Sequence, residues 1–142
     1  MVRLGTPREP HEGVRIGTVR RPPRGVREED IARRDYYDVW APELAPSAPL
    51  VKQALSEPWT EKRWAMFARK YRAEMRAPAA RHVIAMLAAL SARSSFSVGC
   101  YCENEARCHR SLLREILADA GAVLIPQDVR GAKPSGERQS LG

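Results

Sequence analysis

The sequence predicts an α/β sandwich in which a small, mostly parallel sheet is flanked by helices. Three observations predict it. The pattern along the chain runs strand, strand, several helices, strand, helix, strand, and such mixing favours helices packed on a sheet. The length of 142 residues suits one domain with a real core. Residues 95–121 form the cleanest strand–loop–helix unit, and that unit carries all three cysteines.

Residues 2–6 can form a short first strand, and 7–13 a loop. In residues 14–20 the side chains Val14, Ile16 and Thr18 alternate with Arg15, Gly17 and Val19, which predicts a second strand. Pro22 and Pro23 end its pairing, and Gly25 permits a tight turn. Residues 28–34 are at best a short polar helix. The prolines around Trp40 and Leu44 break regular structure, so those two side chains are expected to fasten a loop to the core.

Ser47 is placed to cap a helix reaching Leu55. Thr60 is placed to cap the next, whose stripe is Trp64, Phe67, Ala68, Tyr71 and Met75 at helical spacing. That periodicity marks the aromatics as core residues; base stacking is the competing use. Pro78 separates this helix from one over 79–92, with Val83, Ile84, Leu87 and Leu90 inward. Residues 95–102 read as a buried strand and 103–107 as a polar loop. Cys108 or His109 opens a helix with Leu112, Leu113, Ile116 and Leu117 on its apolar face, stopped by Gly121. A last strand is expected over 122–125. The domain is thus expected to span 1–126, and 127–142, without periodicity, to form a flexible or loosely docked tail.

The bulk chemistry narrows the partners. No run of about 18 apolar residues occurs, so a membrane span is not expected. The first residues carry no apolar leader pattern, which points to a cytoplasmic protein. The net charge of +7 makes a small anionic ligand or nucleic acid a plausible partner, although the basic residues are scattered rather than gathered into one stripe. Three clustered cysteines in a reducing compartment suggest a metal site, redox work or a nucleophile more than a structural bridge.

The candidate site is built from two separated stretches. Cys102, Cys108 and His109 are the candidate catalytic residues. A thiol at a helix start is stabilised as thiolate by unpaired backbone N–H groups, and Arg107, Arg110 and Arg114 lie nearby in sequence. Arg20, Arg24, Glu103 and Arg110 are the candidate ligand-binding residues, since arginines on a stiff turn can fork onto an anion. Three readings stand side by side. One is a reactive thiol beside an anion site. Another is zinc or iron on Cys100, Cys102, Cys108 and His109, against which stands the divergence of adjacent helical side chains, unless the helix cap is irregular. The third is that the cysteines are simply small buried residues. The spacing from Cys108 to Arg114 matches Cys-x5-Arg, but these residues fall inside the predicted helix and cannot wrap an anion as a phosphatase loop does.

Several segments together resemble domain-of-unknown-function family 488, the YeaO-like bacterial proteins. They are Gly13-Val14-Arg15-Ile16 through Arg20, Pro23-Arg24-Gly25-Val26, Trp40 through Leu44-Ala45-Pro46-Ser47 to Leu50, the helix of Trp64, Phe67, Tyr71, Glu74 and Met75, and Cys102-Glu103 with Cys108-His109-Arg110. The last pair resembles the family's Cys-His-Arg branch. Val19 and Pro22 stand where the family often has Asp and Trp. The resemblance covers about residues 1–126 and implies a Rossmann-like fold; it implies no function, so a nucleic-acid or nucleotide binding module without catalysis and a metal- or haem-binding protein stand as alternatives to the reactive thiol, and the cofactor is unknown.

Overall fold

The computed structural model describes residues 1–125. Four strands form one sheet: β1 (Val2–Arg3), β2 (Val14–Gly17), β3 (Val39–Trp40) and β4 (Phe96–Cys100). Their order is β1-β4-β2-β3 and every pairing is parallel. The helices are α1 (Ala48–Leu55), α2 (Glu61–Glu74), α3 (Pro78–Leu90) and α4 (His109–Asp119). This is the predicted Rossmann-like α/β arrangement, with a sheet that is wholly parallel.

The local chemistry that starts each helix is the chemistry read in the sequence. The Ser47 hydroxyl accepts the Leu50 N–H at the start of α1, and the Thr60 hydroxyl accepts the Arg63 N–H at the start of α2. Pro78 occupies the first position of α3, where its missing N–H costs nothing. The aromatic stripe of α2 is core: Phe67 and Tyr71 are buried beside Ile16 of β2, Val98 of β4 and Leu113 of α4. Tyr71 settles its phenol by donating to the Leu44 carbonyl at 2.7 Å.

Parallel strands need cover on both faces. On the second face Tyr37, Val2, Leu4 and Val19 form a smaller cluster that includes Cys100 and Cys108. Gly17 and Gly99 let this layer approach the backbone: a Cβ on Gly17 would lie 2.4 Å from the Tyr37 ring, and one on Gly99 2.5 Å from Leu4.

Two expectations are corrected. Residues 122–125 form no strand. The Ala122 N–H turns back to Leu117 O and the Val123 N–H goes to Ser91 Oγ, so the donors a sheet would need are used at the end of α4 and on α3. The segment around Trp40 is more than a fastened loop, because Val39 and Trp40 pair with Ile16 and Gly17 as the edge strand β3. Arg15 is fully buried, because β2 is a central strand with both faces covered. The tail expected over 127–142 lies outside the described residues.

Arg15 is neutralised by Glu12, also buried. Arg15 Nε and Nη2 donate to the two Glu12 oxygens at 2.5 and 2.9 Å. Arg15 Nη1 reaches Thr6 O at 2.8 Å and Asp35 O at 2.7 Å. Ser97 Oγ of β4 and the Glu9 N–H also donate to Glu12, at 2.6 and 3.0 Å. Burial alone would push the Glu12 carboxyl up, but the hydrogen bonds from Arg15, Ser97 and the Glu9 backbone prevail and hold it at about 2. Because the folded value lies below the unfolded one, the stabilisation is complete above the ordinary carboxylate range and disappears as pH falls from about 4.5 towards 2. Glu12→Gln is expected to flatten the acid limb of a melting-temperature-versus-pH curve; an unchanged limb would show that other carboxylates govern it. Arg15→Met leaves a buried carboxylate without its counter-ion and is expected to cost about 3–5 kcal/mol in urea unfolding.

Candidate functional site

The site lies where β2, β4 and α4 meet at the carboxyl ends of the strands, the usual ligand side of an open parallel sheet. Chain geometry brings the cysteines there from three different local structures. Cys100 ends β4 and is buried. Cys102 follows in the turn and is exposed. Cys108 is the N-cap of α4, with φ −134° and ψ 152°. That extended cap aims Cys108 at the other two sulfurs, while His109 stays outside the converging group, as the divergence of adjacent side chains at the helix start predicts. Cys108 does not take a helical direction next to His109 but turns back towards the strand. The three sulfurs lie within 4.8 Å of one another, and Cys100 Sγ to Cys102 Sγ is 3.6 Å.

The electrostatics of the cluster place its negative charge on Cys108. Hydrogen bonds from Cys100 and Cys102 hold the Cys108 thiol far below its ordinary range, against the cost of burial and with help from His109. Cys100 is pushed up by its hydrogen bonds to Cys102 and Cys108 and by burial. For Cys102 the hydrogen bond from Cys100 favours the thiolate, but its bond to Cys108 and its desolvation prevail, and it too is raised. Cys108 offers no side-chain cap to α4, so the free N–H groups of the helix start contribute positive potential beside its sulfur.

His109 is buried and its ring is held from below by Thr18. Nε2 lies 2.8 Å from Thr18 O and 3.1 Å from Thr18 Oγ1. A carbonyl only accepts, so Nε2 carries a proton. The Thr18 hydroxyl spends its own proton on Gly99 O at 2.9 Å. Nδ1 then lies 3.7 Å from Cys108 Sγ, placed to hold the proton that this sulfur gives up as a thiolate. Sequence reasoning missed Thr18 as a partner of this site. Its signal was position: it is the first residue beyond the central strand β2.

The predicted arginines separate. Arg110 is buried, and its Nη2 donates to Cys102 O at 2.6 Å, fixing the turn that carries the exposed sulfur. Its Nε is buried without a hydrogen-bond partner among the described residues. Arg20 spends its guanidinium on the carbonyls of Pro42, Ala45 and Pro46, at 3.0–3.1 Å. Arg24 is exposed on the Pro23–Val26 turn, and no hydrogen bond or ion pair joins it to the cysteines among the described residues. That turn does approach the site, since Tyr101 Oη donates to Arg21 O at 3.0 Å and Val19 and Val26 pack in the cluster of Cys100 and Cys108. Arg107 stacks over the Trp64 ring and Arg114 reaches Ile125 O, so of the three arginines near the helix start only Arg110 contacts the cysteine turn. Glu103 is exposed in an ion pair of 3.5 Å with Arg3, whose Nε also holds Tyr101 O.

A cleft of about 210 Å³ runs along the β1 edge of the sheet. Arg3, Arg15 and Arg110 line it together with Glu9, Glu12 and Glu105, and no cysteine does. The cysteine cluster itself is the only grouping of three or more His, Cys, Asp or Glu side chains that converges on ion-binding distances among the described residues. No described helix is long and apolar enough to cross a membrane.

The model of a protein family, described as the active DUF488-N3 subclade, matches residues 1–121. No curated protein and no solved structure matches the chain significantly. The match spans every strand and helix described above together with all three cysteines, so the chain belongs to the DUF488 family, in its active N3 subclade.

Proposed function

We propose that this protein performs thiol chemistry on a small anionic ligand in the cytoplasm, with Cys102 as the sulfur that meets the ligand. The observation that carries the reading is a continuous path from solvent to a buried base. The exposed Cys102 belongs to a group of three sulfurs within 4.8 Å, and the sulfur of Cys108 in that group lies 3.7 Å from His109 Nδ1. A nucleophile next to a base, with the base oriented by a third group, is the recurring arrangement for activating a thiol. Here Thr18 is the orienting group.

In this reading the Cys102 proton moves to Cys108, and His109 Nδ1 carries it onward. Arg110 and the first N–H groups of α4 supply positive charge for the ligand. The orphaned Arg110 Nε is a buried donor still lacking an acceptor, which an anion would satisfy. Arg24, exposed on its turn, and Glu103, exposed in its ion pair with Arg3, would select among ligands. Arg20 acts by holding residues 42–46, behind the Arg20–Val26 turn, and so shapes the site from outside.

Site-resolved alkylation with iodoacetamide at neutral pH, on reduced and metal-free protein, tests the proposal. Because the Cys102 thiol is itself raised, its alkylation is expected to depend on the Cys108–His109 pair that takes its proton. Cys108→Ser and His109→Gln are each expected to slow Cys102 alkylation roughly tenfold or more while far-ultraviolet circular dichroism stays native. A Cys102 that iodoacetamide leaves unmodified, or one indifferent to Cys108→Ser, would sink the proposal.

A further inference from the structure

We infer that Cys100, Cys102 and Cys108 also form a three-thiolate binding site for a zinc ion. The argument is independent of the thiol chemistry above, although the same sulfurs serve both. Zinc holds sulfur at about 2.3 Å, which sets the sulfurs of one tetrahedral site about 3.8 Å apart. The 3.6 Å pair and the 4.8 Å limit of the group bracket that spacing. Small side-chain rotations would therefore close all three on one ion without moving β4 or α4.

Donor type selects the ion. All three ligands are sulfur, so hard oxygen-seeking ions such as magnesium and calcium are excluded. Charge selects further. Three thiolates carry three negative charges, and a divalent ion leaves one where a monovalent copper ion would leave two. The single remaining charge meets the positive end of α4 and the buried guanidinium of Arg110, whose Nη2 already holds the Cys102 carbonyl. The frame is also prepared. Cys100 is fixed by the parallel ladder with β1, where Arg3 pairs with it, and Cys108 by the helix cap. Only Cys102 sits in a turn, and that turn is tied by Arg3 and Arg110. Its exposure leaves a fourth coordination position facing solvent, the pattern of zinc sites that keep an open place. His109, with Nδ1 towards Cys108 and Nε2 on Thr18, is an outer-shell partner rather than a ligand. Binding displaces the thiol protons to solvent and ties up the sulfur that would otherwise react.

The test is titration of the reduced full-length chain with cobalt(II), zinc's spectroscopic stand-in, followed by zinc. The expected result is sulfur-to-cobalt charge-transfer absorption that saturates at one ion per chain and is abolished by one equivalent of zinc. Cys100→Ser, Cys102→Ser and Cys108→Ser are each expected to weaken cobalt binding by at least about a hundredfold, the upper end of what outer-shell changes cost. Cys102→Ser is the decisive variant, because an exposed turn residue can be replaced without loss of fold; its circular dichroism confirms this. Absence of charge-transfer absorption in the wild-type chain, or absorption that survives Cys102→Ser, overturns the inference. The two proposals fail separately. A cobalt-silent chain whose metal-free Cys102 alkylation depends on Cys108 loses only the metal site, and a cobalt-binding chain whose metal-free Cys102 alkylation is indifferent to Cys108 loses only the thiol chemistry.

Discussion

The buried pair of Arg15 and Glu12 is the constraint on which the rest of the structure depends. A four-stranded sheet with strands of two to five residues has little ladder of its own. What keeps it aligned is a charge placed in the middle of it. Arg15 on β2 and Ser97 on β4 both bind Glu12, and Arg15 gathers the carbonyls of Thr6 and Asp35 as well. The guanidinium therefore joins the two central strands to the loops that lead out of β1 and into β3. A second layer repeats the device nearer the surface: Asp38 accepts the Arg15 N–H and pairs with Arg8. Such a core trades hydrophobic generality for register. A buried ion pair adds little net stability over apolar packing, but it tolerates few alternative pairings.

Register matters because the sulfur site is assembled from the ends of those same strands. Gly17 and Gly99 stand opposite each other in the ladder, and Thr18 and Cys100 follow directly. Any slip of β2 against β4 would take the Thr18 carbonyl away from His109 and turn Cys100 to the other face. The polar pair on one side of the sheet and the cysteines at its end are thus parts of one alignment. The core aromatics contribute from below: the Tyr71 ring lies 5.5 Å from that of His109, filling the space under the imidazole.

The parts of this architecture that rest on local chemistry were legible in the sequence. Ser47, Thr60 and Pro78 mark their helix starts by hydrogen-bonding capacity alone, and the stripe of Phe67, Tyr71 and Met75 marks the buried face of α2 by spacing alone. The approach of Cys102 to Cys108 was legible as a location. What was not legible depends on partners distant in sequence. The burial of Arg15 could not be read from the alternation of residues 14–20, because only the order of the strands shows that both faces of β2 are covered. Glu12, lying in a loop, gave no sign that it would be the counter-ion. The edge strand β3 is too short, and too close to Pro42, to show any alternation. The direction of Cys108 hangs on one backbone angle pair at the helix cap, and Arg20 turned inward because residues 42–46 present a run of carbonyls that no periodicity announces.

The extended cap at Cys108 separates what is fixed from what is free to drift. Cys100 and Cys108 belong to the ends of a strand and a helix, so their sulfurs are set by the scaffold. The turn between them, residues 101–107, carries neither, and it is tied to the scaffold by Arg3 and Arg110 on its carbonyls, by Tyr101 packed on the second-face cluster and by Arg107 over Trp64. Insertions or exchanges there would leave two sulfurs in place while altering the third group and the mouth around it. A lineage built on this frame can therefore diversify its ligands by rewriting one short turn, with no compensating change in the core.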